Sequence, residues 1–365
     1  MDWSTLLGDL VRLVAGHLPD PLDFLRLRAV CRSWRSAVAF SPPPRFLPWL
    51  LARPAGAAHP TTSLSFFSLA SGAARSVPAP SSSHRLLGPT RSHLLLSDTT
   101  HHLLLLNPLT GARLPLPDSP FPASSSVSQG YLVPADADDD SPAPVVLYNA
   151  RKLFFHFDFM VGCEPTTKPV DRDGWTEVPV PDLVAENMYH DGNLFVCDDR
   201  GQVTVFDAAT LAVVGAVPPP PTPAAPPRGD AFNFKCTSFV PSGHELLCVI
   251  RHFAKDRHGE LLECCSDGLE VYRLEMETER GDQPPQAQWV RMRSIGDRML
   301  FIGLFQGFSF SAADFPGFKG DCIYFFKLER DKRSFIYRFS MEDGRTEELS
   351  GPWMHACTWF VPSLS

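Results

Sequence analysis

The sequence predicts a mainly β protein: a small N-terminal head of three short helices, followed by a β-propeller-like body. Three observations predict this. Helical spacing of apolar residues is confined to about the first forty positions. Downstream, short apolar runs and turns recur in a common grammar. The 36 prolines and 24 glycines among 365 residues favour many short strands over long helices.

In the head, Leu7, Leu10, Val11, Val14 and Leu18 recur at steps of three and four, which places them on one face of a helix. Ser4 is positioned to cap its start, and His17-Leu18-Pro19 stops it. Asp20-Pro21-Leu22-Asp23 starts a second helix, with Asp20 as N-cap, Pro21 at the first helical position and Asp23 favoured by the dipole. A third carries Val30, Trp34 and Val38 at i, i+4 and i+8, with Arg28, Arg32 and Arg35 on its other faces. So small a unit has too little interior to bury all of these side chains. Either the rest of the chain or an external partner must cover them.

The run Leu6-Leu7-Gly8-Asp9-Leu10, Leu18-Pro19 and Leu27-Arg28-Ala29-Val30-Cys31-Arg32-Ser33-Trp34-Arg35 resembles the F-box at the head of a large plant family. That motif commonly opens its first helix with Leu-Pro, and Leu7 stands here in the place of that proline. The resemblance implies docking on the Skp-type adaptor of a cullin-RING ubiquitin ligase. Carried over residue by residue, the contact face is Leu10, Val11, Val14, Leu18, Pro19, Leu25, Val30, Cys31 and Trp34.

The helical domain is expected over 1–41, a connector over 42–61 and the β body over 62–365. Ser41-Pro42-Pro43-Pro44 makes a stiff link, and Trp49 to Leu51 is expected to pack under the helices. In the body, Leu94-Leu95-Leu96-Ser97, Leu103-Leu104-Leu105-Leu106 and Leu114-Pro115-Leu116 read as a hairpin plus one further strand. Asn193 to Asp198, Val203 to Asp207 and Ala212 to Val214 repeat that pattern. Counting weaker copies, there are about six units of roughly 35 to 50 residues, the size of propeller blades. Uneven insertions leave a pair of sandwiches as the alternative. The final Trp359-Phe360-Val361-Pro362 is expected to supply a strand or plug.

The stretch from Trp289 to Gly303, Phe308 to Phe325 and the closing Trp359 to Leu364 resembles the C-terminal domain of the plant F-box family bearing domain of unknown function 295, the KIB-type β-propeller. Asparagine often stands in that family where Asp321 stands here. Together the two resemblances imply a non-catalytic, target-recognition subunit of a Skp-cullin-F-box ubiquitin ligase, with an unidentified protein target. Phe308, Phe310, Phe315 and Phe318 are the candidate target contacts, with filling of the propeller interior as their alternative role. A ligase-independent regulator acting through the propeller, for example on a kinase, and a propeller hydrolase stay open as alternatives.

Composition narrows the partners. A net charge of −8 without a basic, aromatic-interleaved stripe argues against nucleic acid. Nine cysteines with no C-x-x-C pair and no glycosylation sequon fit reduced thiols in the cytoplasm or nucleus. The acidic Met1-Asp2-Trp3 start argues against a secretory signal, and no apolar run free of proline is long enough to span a membrane. No metal or cofactor motif is complete. Asp136 to Asp140 lacks the spaced ligands of a calcium loop, and His244-Glu245-Leu246-Leu247 has Cys248 where a zincin has its second histidine. Gly307-Phe308-Ser309 lacks the second glycine of a nucleophile elbow, His101-His102 reads as turn, and Pro218 to Pro227 as an inter-blade loop.

Overall fold

The computed structural model describes residues 3–38, 45–52, 63–78, 84–89, 93–100, 102–121, 129–132, 145–148, 153–156, 175–180, 184–198, 200–220, 233–255, 261–263, 269–276, 287–303, 307–328, 333–354 and 358–364. The aspartates at 136–140, the cysteines at 264–265, His101 and most of the proline run at 218–227 lie outside the described residues. The chain divides into two compact units, Met1–Ser119 with Trp353–Ser365, and Pro120–Pro352. The helices belong to the same unit as the first strands.

Three helices form the head: α1 (Gly8–Gly16), α2 (Pro21–Ala29) and α3 (Arg32–Ala37). Leu7, not Ser4, is the N-cap of α1, and it offers no side-chain acceptor. Asp20 caps α2 as its sequence position predicts, accepting from the Leu22 N–H at 2.9 Å, with Pro21 opening the helix. The expected Val30–Trp34–Val38 stripe is not one helix. Cys31 is extended (φ −159°, ψ 170°) and caps α3 through Sγ, which accepts from the Trp34 N–H, so Val30 ends α2 and Val38 ends α3.

Strands follow in sheet order. β1 (Trp49–Ala52), β2 (Ser63–Ser68) and β3 (Ala73–Pro78) form a meander, and β4 (Arg85–Pro89), β5 (Leu94–Ser97), β6 (Leu103–Leu106) and β7 (Arg113–Leu116) a second. The second unit holds β8 (Gln129–Leu132), β9 (Val145–Tyr148), β10 (Leu153–His156) and β11 (Trp175–Val178) in one sheet. Its next is β12 (Val184–His190), β13 (Asn193–Asp198), β14 (Val203–Asp207) and β15 (Val213–Val217). Then come β16 (Asn233–Ser242), β17 (Glu245–Lys255), β18 (Leu261–Glu263), β19 (Glu270–Met276) and β20 (Ala287–Met292). The last contains β21 (Arg298–Phe301), β22 (Phe308–Ser311), β23 (Cys322–Leu328), β24 (Arg333–Ser340) and β25 (Thr346–Met354), ordered β22-β21-β23-β24-β25. β26 (Thr358–Phe360) returns to pair with β1, Leu50 opposite Trp359, so both ends of the chain build one sheet. Trp49 to Leu51 is thus a strand, and Leu22 of α2 packs against the cluster that Trp49 and Leu51 help to form.

Each repeat holds one strand more than the hairpin-plus-one reading. The missed strands are β4 and β12, where the register shifts at Leu86/Gly88 and at Val184/Glu186. A bulge breaks the period-2 alternation from which a strand is recognised.

Central strands are buried on both faces. In β13, Leu194 and Val196 face a cluster with Val146, Val178 and Phe206, whereas Phe195 and Cys197 face one with Phe239, Cys248 and Trp289. In β17, Leu246, Cys248 and Ile250 join that second cluster, and Leu247 and Val249 join a third with Leu300 and Ile323. Successive side chains of a strand point to opposite faces, so a sheet stacked between two others needs an unbroken apolar run.

The parallel pair β21–β23 requires a crossover, residues 312–321. Its return is tight: a Cβ on Gly320 would stand 2.6 Å from the Gly296 carbonyl oxygen and 2.7 Å from the Asp297 Cα. Asp321 follows in the left-handed region (φ 58°), and its carboxylate accepts from the Ile295 N–H at 2.7 Å. Asparagine tolerates that conformation and supplies the same acceptor. Asp321→Asn is expected to leave the thermal midpoint within about 2 °C, while Asp321→Ala orphans a donor and costs about 2 kcal/mol, roughly 4–8 °C. Gly320→Ala is expected to cost at least as much, because the obstacle is backbone. Differential scanning calorimetry of the three variants checks both outcomes.

Candidate functional site

The head presents two apolar faces, one turned inward and one turned to solvent. Inward, Val11, Ala15, Phe24, Leu27 and Val38 share a core with Phe46 and Leu364, and Leu6, Leu18, Leu25, Trp34 and Leu109 pack around it. Leu22 reaches the adjoining cluster of Trp49, Phe66 and Phe360. Phe24 meets Phe46 edge to face at 6.0 Å.

A polar clasp completes this attachment. The Asp20 side chain, fully buried, accepts from Arg75 Nε of β3 at 3.0 Å and from the Ser71 hydroxyl at 3.4 Å, while capping α2. Arg75 also lies 3.6 Å from the Asp23 carboxylate. α3, only six residues long, is held by arginines from its neighbours: Arg12 donates to the Ala37 carbonyl at 3.3 Å, and Arg28 to those of Arg35 and Val38. These are the carbonyls a short helix leaves without partners.

Outward, large apolar side chains stand in water: Leu7 is 71% exposed, Leu10 45%, Leu13 60%, Val14 47% and Val30 56%. At 100° per residue, Leu13, Leu10, Val14 and Leu7 cover one continuous arc of about 120° on α1, beside the inward arc of Val11 and Ala15. Trp3 is exposed as well, and its carbonyl accepts from the Trp34 indole N–H at 3.0 Å.

The sequence-derived contact set therefore divides. Leu10, Val14, Pro19 and Val30 are exposed; Leu18, Leu25, Cys31 and Trp34 are half-buried, packed on or beside the head's own core. Val11 lies in the head's own core, 1% exposed. Leu13 was missed, because a single apolar stripe was read as a single face. Its neighbourhood with Leu10 on the helical wheel was the available signal.

The phenylalanine candidates divide similarly. Phe308 is buried. Phe310 contacts Phe301 and Phe315 edge to face at 5.7 and 5.9 Å, and Phe318 lies 6.4 Å from Tyr324, whose ring stacks on Phe301 at 4.7 Å. Three of them, Phe310, Phe315 and Phe318, are half-buried and pin the crossover to its sheet, leaving Asp314, Pro316, Gly317 and Lys319 exposed above.

Other sequence motifs resolve as scaffold. His244 is fully exposed in the β16–β17 turn, and Glu245 begins a strand, paired with Arg273 at 3.0 Å and with Arg298. The Ser309 hydroxyl meets that of Ser242 at 2.9 Å. His102 lies 3.1 Å from Asp98, whose carboxyl is held well below the usual range chiefly by the Thr100 hydroxyl. Burial pushes the Cys197 thiol up to about 12 and Cys248 well above the ordinary range, so neither supplies a thiolate at neutral pH. Among the described residues, no group of three or more His, Cys, Asp and Glu is arranged to hold a metal ion, and no helix is long and apolar enough to cross a membrane.

The chain is similar to the F-box/kelch-repeat protein At1g64840 of Arabidopsis thaliana, 23% identical over 384 residues, covering 96% of this chain and 91% of that protein. The F-box protein At2g26160 of the same plant is 24% identical over 349 residues, covering 89% and 95%. Among solved structures, the Cps50 (Swd1) β-propeller domain of Myceliophteria thermophila is 12% identical, covers 80% of this chain and 81% of that one, and has a TM-score of 0.37. The model of the KIB1-4 β-propeller family matches residues 66–344, which takes in part of β2 and all of β3 to β24, and the chain belongs to that family.

Proposed function

We propose that this protein is the target-recognition subunit of a Skp-cullin-F-box ubiquitin ligase, docking through α1–α3 on the Skp-type adaptor, and through it on a cullin. The observation that carries the reading is the outward arc of Leu7, Leu10, Leu13 and Val14 with Val30 beside it. Five exposed large apolar side chains on so small a surface mark an interaction site. The relatives' F-box names support the identity of the partner. The subunit does no bond chemistry; it raises the effective concentration of a protein target near a ubiquitin-loaded enzyme. Its place of action is then the cytoplasm or nucleus.

The energetics are compatible. Full burial of a Leu or Val contributes about 1.5–3 kcal/mol. These residues are already partly covered, so five of them gain on the order of 5 kcal/mol, against an association cost of about 4–15 kcal/mol. Half-buried Trp34 and Leu25 must add to this, giving a partnership that exchanges.

Leu7→Asp with Leu10→Asp separates docking from folding. Aspartate suits the N-cap and first turn of α1, so the thermal midpoint is expected to hold or rise slightly. Adaptor affinity is expected to fall at least about 100-fold, since two charges would enter an apolar contact. Val11→Ala is the converse, expected to cost about 2 kcal/mol of stability with a much smaller loss of binding. Calorimetry with adaptor titration reads both, and undiminished binding by the double aspartate variant sinks the reading.

For the target we assign the crossover surface of Asp314, Pro316, Gly317 and Lys319, supported by the aromatic packing of Phe310, Phe315 and Phe318 that holds it rigid. Asp314→Lys with Lys319→Glu is expected to remove this subunit's targets from the ubiquitin-modified proteins of the cell, with adaptor capture unchanged. Quantitative ubiquitin-remnant mass spectrometry showing the same targets for both forms would exclude that surface.

A further inference from the structure

Between residues 24 and 97 the chain holds nine arginines, no lysine, no aspartate and no glutamate, in a protein of net charge −8. Four of them, Arg26, Arg28, Arg32 and Arg35, fall on α2 and α3 beside the exposed Val30.

Some of these arginines serve the fold. Arg75 clasps Asp20, and Arg28 satisfies the end of α3. Others front the solvent. Arg26 is exposed, and it lies four residues before Val30, which keeps helical dihedrals (φ −60°, ψ −53°); the two therefore share a face of α2. Arg32 and Arg35 are exposed on α3, three residues apart and directly after Val30 and Cys31. Asp23 pairs with Arg26 at 2.7 Å, but α3 has no acidic residue in its first turn, where Arg32 opposes the helix dipole. Arg32 thus stands at a helical position that the dipole disfavours, next to the exposed Val30, where an anionic partner would offset the cost.

We infer that the docking face is two-part, an apolar arc on α1 and an arginine rim of Arg26, Arg32 and Arg35 around Val30, and that the adaptor surface meeting the rim is acidic. This rests on the adaptor reading above. Carboxylates are the matching class, because the planar guanidinium pairs with them bidentately. Rim charges act mainly on the association rate, by steering the partners into register. Nucleic acid is the weaker fit for a chain of net charge −8, in which Asp23 already pairs with Arg26 and the rim is centred on the apolar Val30.

The test uses the full-length chain and an isolated Skp-type adaptor in stopped-flow or surface-plasmon kinetics from 50 to 500 mM salt. Arg32→Glu with Arg26→Gln is the variant; glutamate suits the first turn of α3, so loss of fold is not the expected cause of any change. The wild type is expected to associate more slowly as salt rises, and the variant to associate about tenfold more slowly at low salt with a dissociation rate changed less than about twofold. Salt-independent association, or a variant that associates like the wild type, overturns the acidic-partner inference while the docking reading stands. Failure of the intact wild type to bind the adaptor overturns both. Tighter retention of a short DNA or RNA duplex than of the adaptor overturns the assignment of an acidic protein surface.

Discussion

Burial of both faces of the central strands is the constraint on which the body of this protein depends. A strand such as β13 sends Leu194 and Val196 to one neighbouring sheet, and Phe195 and Cys197 to the other. Both sides of such a strand are apolar, so within the second unit its sheet is stable only between two others, and four-stranded units recur along the chain. The same demand makes the terminal strand necessary. β26 completes the sheet of β1–β3, where Phe360 joins Trp49 and Phe66 in the core and Trp359 lies fully buried.

The helical head is attached to the strands of the first unit and still keeps an apolar face exposed. Its attachment combines an apolar core, shared with Phe46 and Leu364, and the buried Asp20 carboxylate, which serves α2 as cap and Arg75 as counter-ion. A buried carboxylate is tolerated where several donors meet it. Its availability rests on the unusual breadth of the apolar surface of α1, which runs from Ala15 and Val11 inside to Val14, Leu10 and Leu13 outside. One short helix thereby joins the first compact unit and keeps a second apolar face in solvent.

Aromatic residues near the C-terminus illustrate how a plausible contact site becomes scaffold. Phe308, Phe310, Phe315 and Phe318 are numerous enough to suggest an interface, yet their rings meet one another and the rings of Phe301 and Tyr324. What they leave exposed is the loop above them, held by a glycine that admits no side chain and an aspartate in the left-handed region. Asp314, Pro316, Gly317 and Lys319 are exposed on that loop, above its aromatic floor.

The residues alone determined the features that depend on near neighbours. Asp20-Pro21 could only begin a helix, the apolar runs of β5, β6, β13 and β17 could only be buried strands, and the F-box and KIB-type resemblances were legible because their residues are close in sequence. Tertiary structure decided what depends on residues far apart. Val11 and Leu10 are adjacent and equally apolar; only Phe46 and Leu364, packed beneath the head, draw one inward and leave the other in solvent. The bulged strands β4 and β12 lacked a clear alternation, and pairing with β5 and β13 supplied what their own pattern did not. Local periodicity states that a side chain prefers cover, whereas the identity of the cover is a property of the whole chain's packing.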